Sequence, residues 1–269
     1  MLSLAHLTVL DAHPLELIDA ALAGGFDALG LRIVAPMPTD AIVPVIGDEP
    51  LIREIEQRLD ATGRRIFDIE SVWLLPHTDV AALEPALALG SRLGAKHLLV
   101  VCNDPDPARS DARFSALCDL AQAYGIGIAL EPMPYVCLRT PLDALAVLKR
   151  VNKPNAGLLV DALHLYRSGA TPADLAGIDT SLFPYIHLCD APSIAPPAEG
   201  LRAESRGSRF YPGEGALPLA DFLRAFPADI AIGVEAPCAR YAHLPVLERA
   251  RICGAATRAL LSGVRGPAV

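Results

Sequence analysis

Short apolar runs recur along this chain, separated by longer stretches with apolar residues at helical spacing. The runs are HLTVL (6–10), ALGLRIV (28–34), RIFDIESVW (65–73), HLLVVCN (97–103), GIALEP (127–132), AGLLVDA (156–162), YIHLCDA (185–191) and AIGVEAP (231–237). Most stay apolar until their last residues, as strands buried on both faces do. Between them lie PLELIDAALAG, EPLIREIEQRLDATG, DVAALEPALALGSRLG, DARFSALCDLAQAYG, TPLDALAVLKRVN, PLADFLRAF and LPVLERARICGAATRALL. Gly63 is placed to end one helix, and Thr140-Pro141 to begin another, as N-cap and first-turn proline. Strand and helix alternating in this way build a parallel sheet.

Two parallel architectures compete. A doubly wound open sheet usually carries a glycine-rich phosphate loop after its first strand, and HLTVLDAHPLEL contains no glycine. A single (β/α)8 TIM barrel over residues 1–269 is therefore expected, of α/β class and without a linker. One segment breaks the rhythm. Residues 191–216, rich in proline, glycine and arginine, read as a long loop after the seventh strand, and such loops are usually functional.

Composition narrows the function classes. A formal net charge of −8 argues against wrapping nucleic acid, whose affinity rests on Lys and Arg at phosphates. No run is long and apolar enough for a membrane span, and the amino terminus lacks a basic region before its first apolar residues. The six cysteines are scattered without a CxxC pair, which favours buried thiols in a reducing, cytoplasmic setting over structural zinc or disulfides. The apolar carboxy-terminal helix offers a surface for a homo-oligomer.

The polar residues at the strand ends carry the chemistry. In a barrel these ends share one mouth. They supply Glu70 on the third strand, Asn103 on the fourth, Glu131 on the fifth and Asp161 on the sixth. His187 with Asp190 follow on the seventh and Glu235 on the eighth. Three converging carboxylates repel one another unless protonated or bridged by a cation. A divalent ion resolves the conflict, and oxygen-rich ligation with one imidazole favours Mn²⁺, Mg²⁺ or Co²⁺ over thiolate-type zinc. Each residue also has a plainer reading: Asp161 as a helix cap, a lone glutamate as an arginine partner.

The motifs LEP at Glu131, VDALH at Asp161 and His164, IHLCDAP at His187 and GVEAP at Glu235 together resemble the xylose-isomerase-like TIM-barrel superfamily. Its sugar phosphate isomerase/epimerase branch is the nearest likeness, and the resemblance runs along essentially the whole chain. It implies Glu131, Asp161, His187 and Glu235 as ligands of a divalent metal, Mn²⁺ foremost with Mg²⁺, Co²⁺ or Zn²⁺ as alternatives. It also implies that His164 faces the substrate or joins the metal site. The substrate is then a small polyhydroxy carbonyl compound: a sugar, sugar phosphate or ketocyclitol. Glu131 and Glu235 exchange the proton next to its carbonyl through an enediolate. Two further outcomes stay open: a dehydratase or lyase on a related hydroxy-keto substrate, and a non-catalytic carbohydrate-binding barrel.

Departures from the better-known branches limit the transfer. Ketose epimerases carry a second glutamate where Cys137 stands and an arginine where Ser193 stands. Dehydroshikimate dehydratases carry a histidine at the position of Met133. Seven scattered histidines and the negative charge disfavour the DNA-repair branch. Three lysines, none at a mouth-facing strand end, disfavour a hydride shift. Arg32, or an arginine among Arg202, Arg206 and Arg209, is a candidate to grip an anionic substrate group. The interleaved Glu199, Glu204 and Glu214 offer these arginines ordinary partners instead. Trp73 and Tyr135 are candidates to wall the pocket.

Overall fold

The computed structural model describes residues 1–37 and 39–265. Its strands are β1 (Leu2–Leu4), β2 (Ala28–Arg32), β3 (Ile66–Leu74), β4 (His97–Cys102), β5 (Gly127–Leu130), β6 (Ala156–Leu158), β7 (Val160–Asp161), β8 (Ile186–Leu188) and β9 (Ile232–Val234). Every pairing between them is parallel, in the order β6-β5-β4-β3-β2-β1-β9-β8-β7. Only Leu159 separates β6 from β7, and its N–H donates to Leu130 O. The two pieces are one barrel stave, so a nearly closed eight-stave barrel results. β6 holds one edge of it and β7 the other.

The outer layer is formed by α1 (Pro14–Gly24), α2 (Glu49–Thr62), α3 (Glu84–Arg92), α4 (Pro107–Ala123), α5 (Pro141–Val151), α6 (Ala162–Arg167), α7 (Leu201–Gly207), α8 (Leu219–Arg224) and α9 (Val246–Arg265). Their ends follow local chemistry. The Asp48 side chain accepts from Leu51 N to start α2, and Gly63 ends it in the left-handed region at φ 65°. Thr140 and Asp143 cap α5 reciprocally, with Pro141 in the first turn. No described helix is long and apolar enough to cross a membrane.

Two expectations are corrected. The first strand is Leu2–Leu4, whereas His6–Val9, expected as strand, is a 3-10 turn. The apolar run HLTV is buried without pairing because polar groups bend it. His6 Nδ1 accepts from Arg32 N while its Nε2 meets Ala12 O, and Thr8 Oγ1 donates to Val234 O. The segment 191–216 is only partly loop, since it contains α7 and a preceding 3-10 turn at 198–200. Asp190 organises the rest of it. Its carboxylate accepts from the backbone N–H groups of Ala191, Gly213, Gly215 and Leu217 at 2.8–3.1 Å.

α9 lies directly on α1. A Cβ on Gly254 would collide with Gly24 O, while Gly263 on the same helix faces open space. Alanine normally gains up to about 1 kcal/mol over glycine inside a helix. Gly263→Ala should therefore raise the thermal midpoint slightly. Gly254→Ala should lower it, because forcing the helices apart costs about 1–3 kcal/mol. Thermal unfolding of both variants checks this, and a rise for Gly254→Ala would contradict the close approach.

Candidate metal centre

The carboxy ends of β5, β7, β8 and β9 bring four side chains together. Glu131 directly follows β5, Asp161 ends β7, His187 lies in β8, and Glu235 directly follows β9. One ligand atom from each lies within 4.8 Å of the others, and all four residues are buried. Gly233 makes room for the imidazole: a Cβ there would stand 2.7 Å from His187 Cδ2.

Hydrogen bonding leaves part of this cluster unfilled. His187 Nδ1 is 3.5 Å from Glu131 Oε1 and 3.7 Å from Glu235 Oε2. Those distances are long for hydrogen bonds, and neither Glu131 Oε1 nor His187 Nδ1 has a hydrogen-bond partner among the described residues. Ligand atoms bound at about 2.1 Å lie within about 4.2 Å of each other, so a contraction of a few tenths of an ångström lets the cluster close on a cation. Three carboxylates, one imidazole and unpartnered donor atoms fit a divalent metal.

Arg209 pins the carboxylates from one side. Its Nη1 donates to Asp161 Oδ2 at 2.6 Å and to Glu235 O at 3.0 Å. Nη2 donates to Glu235 Oε2 at 2.8 Å, and Nε to Ser205 O at 2.8 Å. The other oxygen of Asp161 caps α6 by accepting from His164 N at 3.0 Å. Asp161 thus serves as helix cap and as part of the cluster at once.

Protonation follows from burial and charge. Burial pushes the Glu131 carboxyl up to about 7, with repulsion from Glu235 and Asp161 adding to it. Burial works against charge on His187, yet Glu235, Glu131 and Asp161 outweigh it and hold its pKa near 10. Asp161 is also desolvated, but Arg209 keeps its pKa below the usual carboxylate value. Two more acids lie in the barrel. Glu70 is raised to about 8 by burial and by Asp68 and Glu235, and Asp68 is raised to about 6, chiefly by burial. Asp68 Oδ2 accepts from Tyr185 OH at 2.9 Å, and the Tyr185 ring packs 5.4 Å from His187.

Above the cluster is a cavity of about 30 Å³, lined by Glu131 and Glu235 together with Arg32, Trp73, Tyr135 and residues of α7. α7 roofs it. Arg206 pairs with Asp40 at 2.8 Å, Glu204 with Arg167 at 2.7 Å, and Ser205 Oγ lies 2.8 Å from Tyr135 OH.

Of the residues expected to touch substrate, Arg32 and Arg209 line the cavity. The other three do not. Glu70 lies beneath, accepting from His6 N. Asn103 spends its side-chain oxygen on Cys137 N. His164 is packed edge-on against Tyr135, with both ring nitrogens unpartnered among the described residues and its pKa lowered to about 4 by burial. Sequence reading overlooked Asp68 and the role of Tyr185. Asp68 was visible in principle, since it shares a strand face with Glu70 two residues on. Tyr185 begins an apolar run and carries no such signal.

A family model described as xylose isomerase-like TIM barrel matches residues 18–252. The chain belongs to that family. Inosose isomerase of Bacillus licheniformis is 32% identical over 137 residues, covering 47% of this chain and 48% of that protein. Inosose isomerase of Bacillus subtilis is 32% identical over 114 residues, 42% of this chain and 39% of that one. These matches span less than half the length of each relative. A solved structure described as IOLI protein with a binding zinc atom superposes with a TM-score of 0.80 at 20% identity, covering 98% of both chains. That likeness is one of fold.

The raised groups set a pH dependence. Glu131 and Glu70 titrate above the ordinary 4.5, and His187 above 6.5. At these three groups the metal-free native state holds more protons than the unfolded chain, and the stability they lend falls as pH rises from about 4.5 through 8 and on toward 10. A divalent cation binds the deprotonated ligands, so its effect grows with pH. Thermal midpoints with and without Mn²⁺ or Zn²⁺ should differ more at pH 8 than at pH 6. No gain at either pH would count against the centre.

Proposed function

We propose that the chain is a divalent-metal-dependent isomerase or epimerase of a small polyhydroxy ketone, an inosose-like ketocyclitol or a keto-sugar. The observation that carries this is the four-residue cluster at the carboxy end of the barrel, of which Glu131 and Glu235 also line the cavity. The curated relatives named inosose isomerase support the same direction.

Glu131, Asp161, His187 and Glu235 would hold the cation, which supplies Lewis acidity beside the substrate carbonyl. The remaining chemistry belongs to the chain. Glu131 and Glu235 approach the cavity from β5 and β9, and one takes the proton next to the carbonyl while the other returns it. Arg209 holds Glu235 and Asp161 in place through its three-way contacts, so neither drifts as charge moves. α7 and Tyr135 exclude water above the reacting carbons. The cavity of about 30 Å³ is smaller than a cyclitol, so α7 swings aside for entry and closes behind the substrate.

The test is exchange. Incubated with an inosose in D₂O and Mn²⁺, Co²⁺ or Zn²⁺, the protein should place deuterium next to the carbonyl without loss of water. Exhaustive chelation should stop the exchange, and added metal should restore it. Glu131→Gln and Glu235→Gln should each slow it by roughly 10²-fold or more. Mass spectrometry and NMR read the outcome. Loss of water would assign a dehydratase, and binding without exchange across several polyhydroxy ketones would leave a carbohydrate-binding barrel. Full exchange after metal removal would overturn the proposal.

A further inference from the structure

The arginines around the cavity are not equivalent. Arg209 spends its donors on Asp161, Glu235 and Ser205, Arg206 pairs with Asp40, and Arg167 pairs with Glu204. Two are left. Arg32, at the end of β2, is 5% exposed, yet its Nε has no hydrogen-bond partner among the described residues. Its ion-pair partner, Glu70 Oε2, stands 4.0 Å away and is itself without a hydrogen bond among the described residues. Arg202, on α7, has no carboxylate partner among the described residues, and its guanidinium lies 5.6 Å from the centre of the Trp73 ring. Both arginines line the cavity that Glu131 and Glu235 also line.

A buried guanidinium with an idle N–H is costly unless something occupies that face. Arginine offers a planar fork that matches the two oxygens of a carboxylate or phosphate. We infer that Arg32 and Arg202 form a subsite for one anionic oxygen group on the substrate, a carboxylate or a phosphate monoester. This rests on the reading of the metal centre only for where the reacting carbons lie. Among the polyhydroxy ketones of the proposed function it favours those that carry such a group, a hydroxy-keto acid or a keto-sugar phosphate, over neutral ones. One end of such a molecule faces Glu131 and Glu235 while its anion meets Arg32. Arg202 reaches the anion from the roof, so binding the anion also draws α7 down.

Trp73 is the only tryptophan of the chain and lies beside Arg202, so its fluorescence reports on the subsite. The metal-free protein at low ionic strength is titrated separately with inorganic phosphate, cyclohexanecarboxylate and the neutral myo-inositol. A saturable change is expected with at least one anion and not with myo-inositol. The tighter anion identifies the group: carboxylate for a keto acid, phosphate for a sugar phosphate. Arg32→Gln and Arg202→Gln should each weaken the response roughly tenfold or more, as for loss of a charged hydrogen bond. Arg53→Gln, on the exposed face of α2, should leave it unchanged. Arg202 is exposed, so its variant decides the matter even where Arg32→Gln unfolds. No saturable response to either anion, equal binding of myo-inositol, or full affinity in the Arg202 variant would overturn the inference. The readout needs neither metal nor turnover, so its failure is separate from failure of the exchange reaction.

Discussion

The buried contact of Arg209 with Asp161 and Glu235 is the interaction on which the rest of the site depends. Desolvating two carboxylates side by side is unfavourable, and the guanidinium meets one oxygen of each at 2.6 and 2.8 Å. Removing one partner of such a buried set typically costs about 3–5 kcal/mol, because the remaining charges stay buried. The arginine neutralises one side of the cluster and leaves the other side, with Glu131 Oε1 and His187 Nδ1, without hydrogen-bond partners among the described residues. An acid-rich barrel mouth can therefore exist with its ligands aimed inward. It also links the cluster to the roof, since Arg209 Nε donates to Ser205 O on α7.

The parallel barrel explains why so much charge collects there. Most staves are apolar along much of their length and turn polar toward the carboxy end, so the core excludes water while the mouth gathers carboxylates. Asp68 and Glu70 deepen this layer from β3, and burial keeps both protonated more readily than in solution. Glycine is required at 233 because the imidazole of His187 lies against the backbone of β9 there. α7 shields the layer from bulk solvent, which strengthens each electrostatic contact below it.

Much of the site was legible from strand ends alone. Glu131, Asp161 and Glu235 each close an apolar run and His187 lies near the end of another, and parallel staves of one barrel necessarily present those ends together. The first stave was misplaced because HLTV is as apolar and β-branched as a strand. Its turn depends on contacts from Arg32, Ala12 and Val234, which are distant in sequence or need the fold in place. α7 was hidden for a similar reason. The segment LRAESRG has weak helical periodicity, and it is held by Asp40, Trp73, Tyr135 and Arg167 from four different parts of the chain.

The sequence by itself determined the barrel, the identity of the four clustered residues and the presence of spare arginines near the mouth. Those follow from local apolar runs and from the polar residues that stand at or near the carboxy end of each. Only the tertiary structure decided what each arginine does. Arg209 is committed to Asp161 and Glu235, Arg206 to Asp40, and Arg32 is left buried with a donor idle among the described residues. It likewise decided that Glu70, Asn103 and His164 stand away from the cavity, since their side chains go to His6, Cys137 and Tyr135. Pairing between residues far apart in the chain is set by the closed ring of staves and by the roof above it. No local pattern encodes that choice.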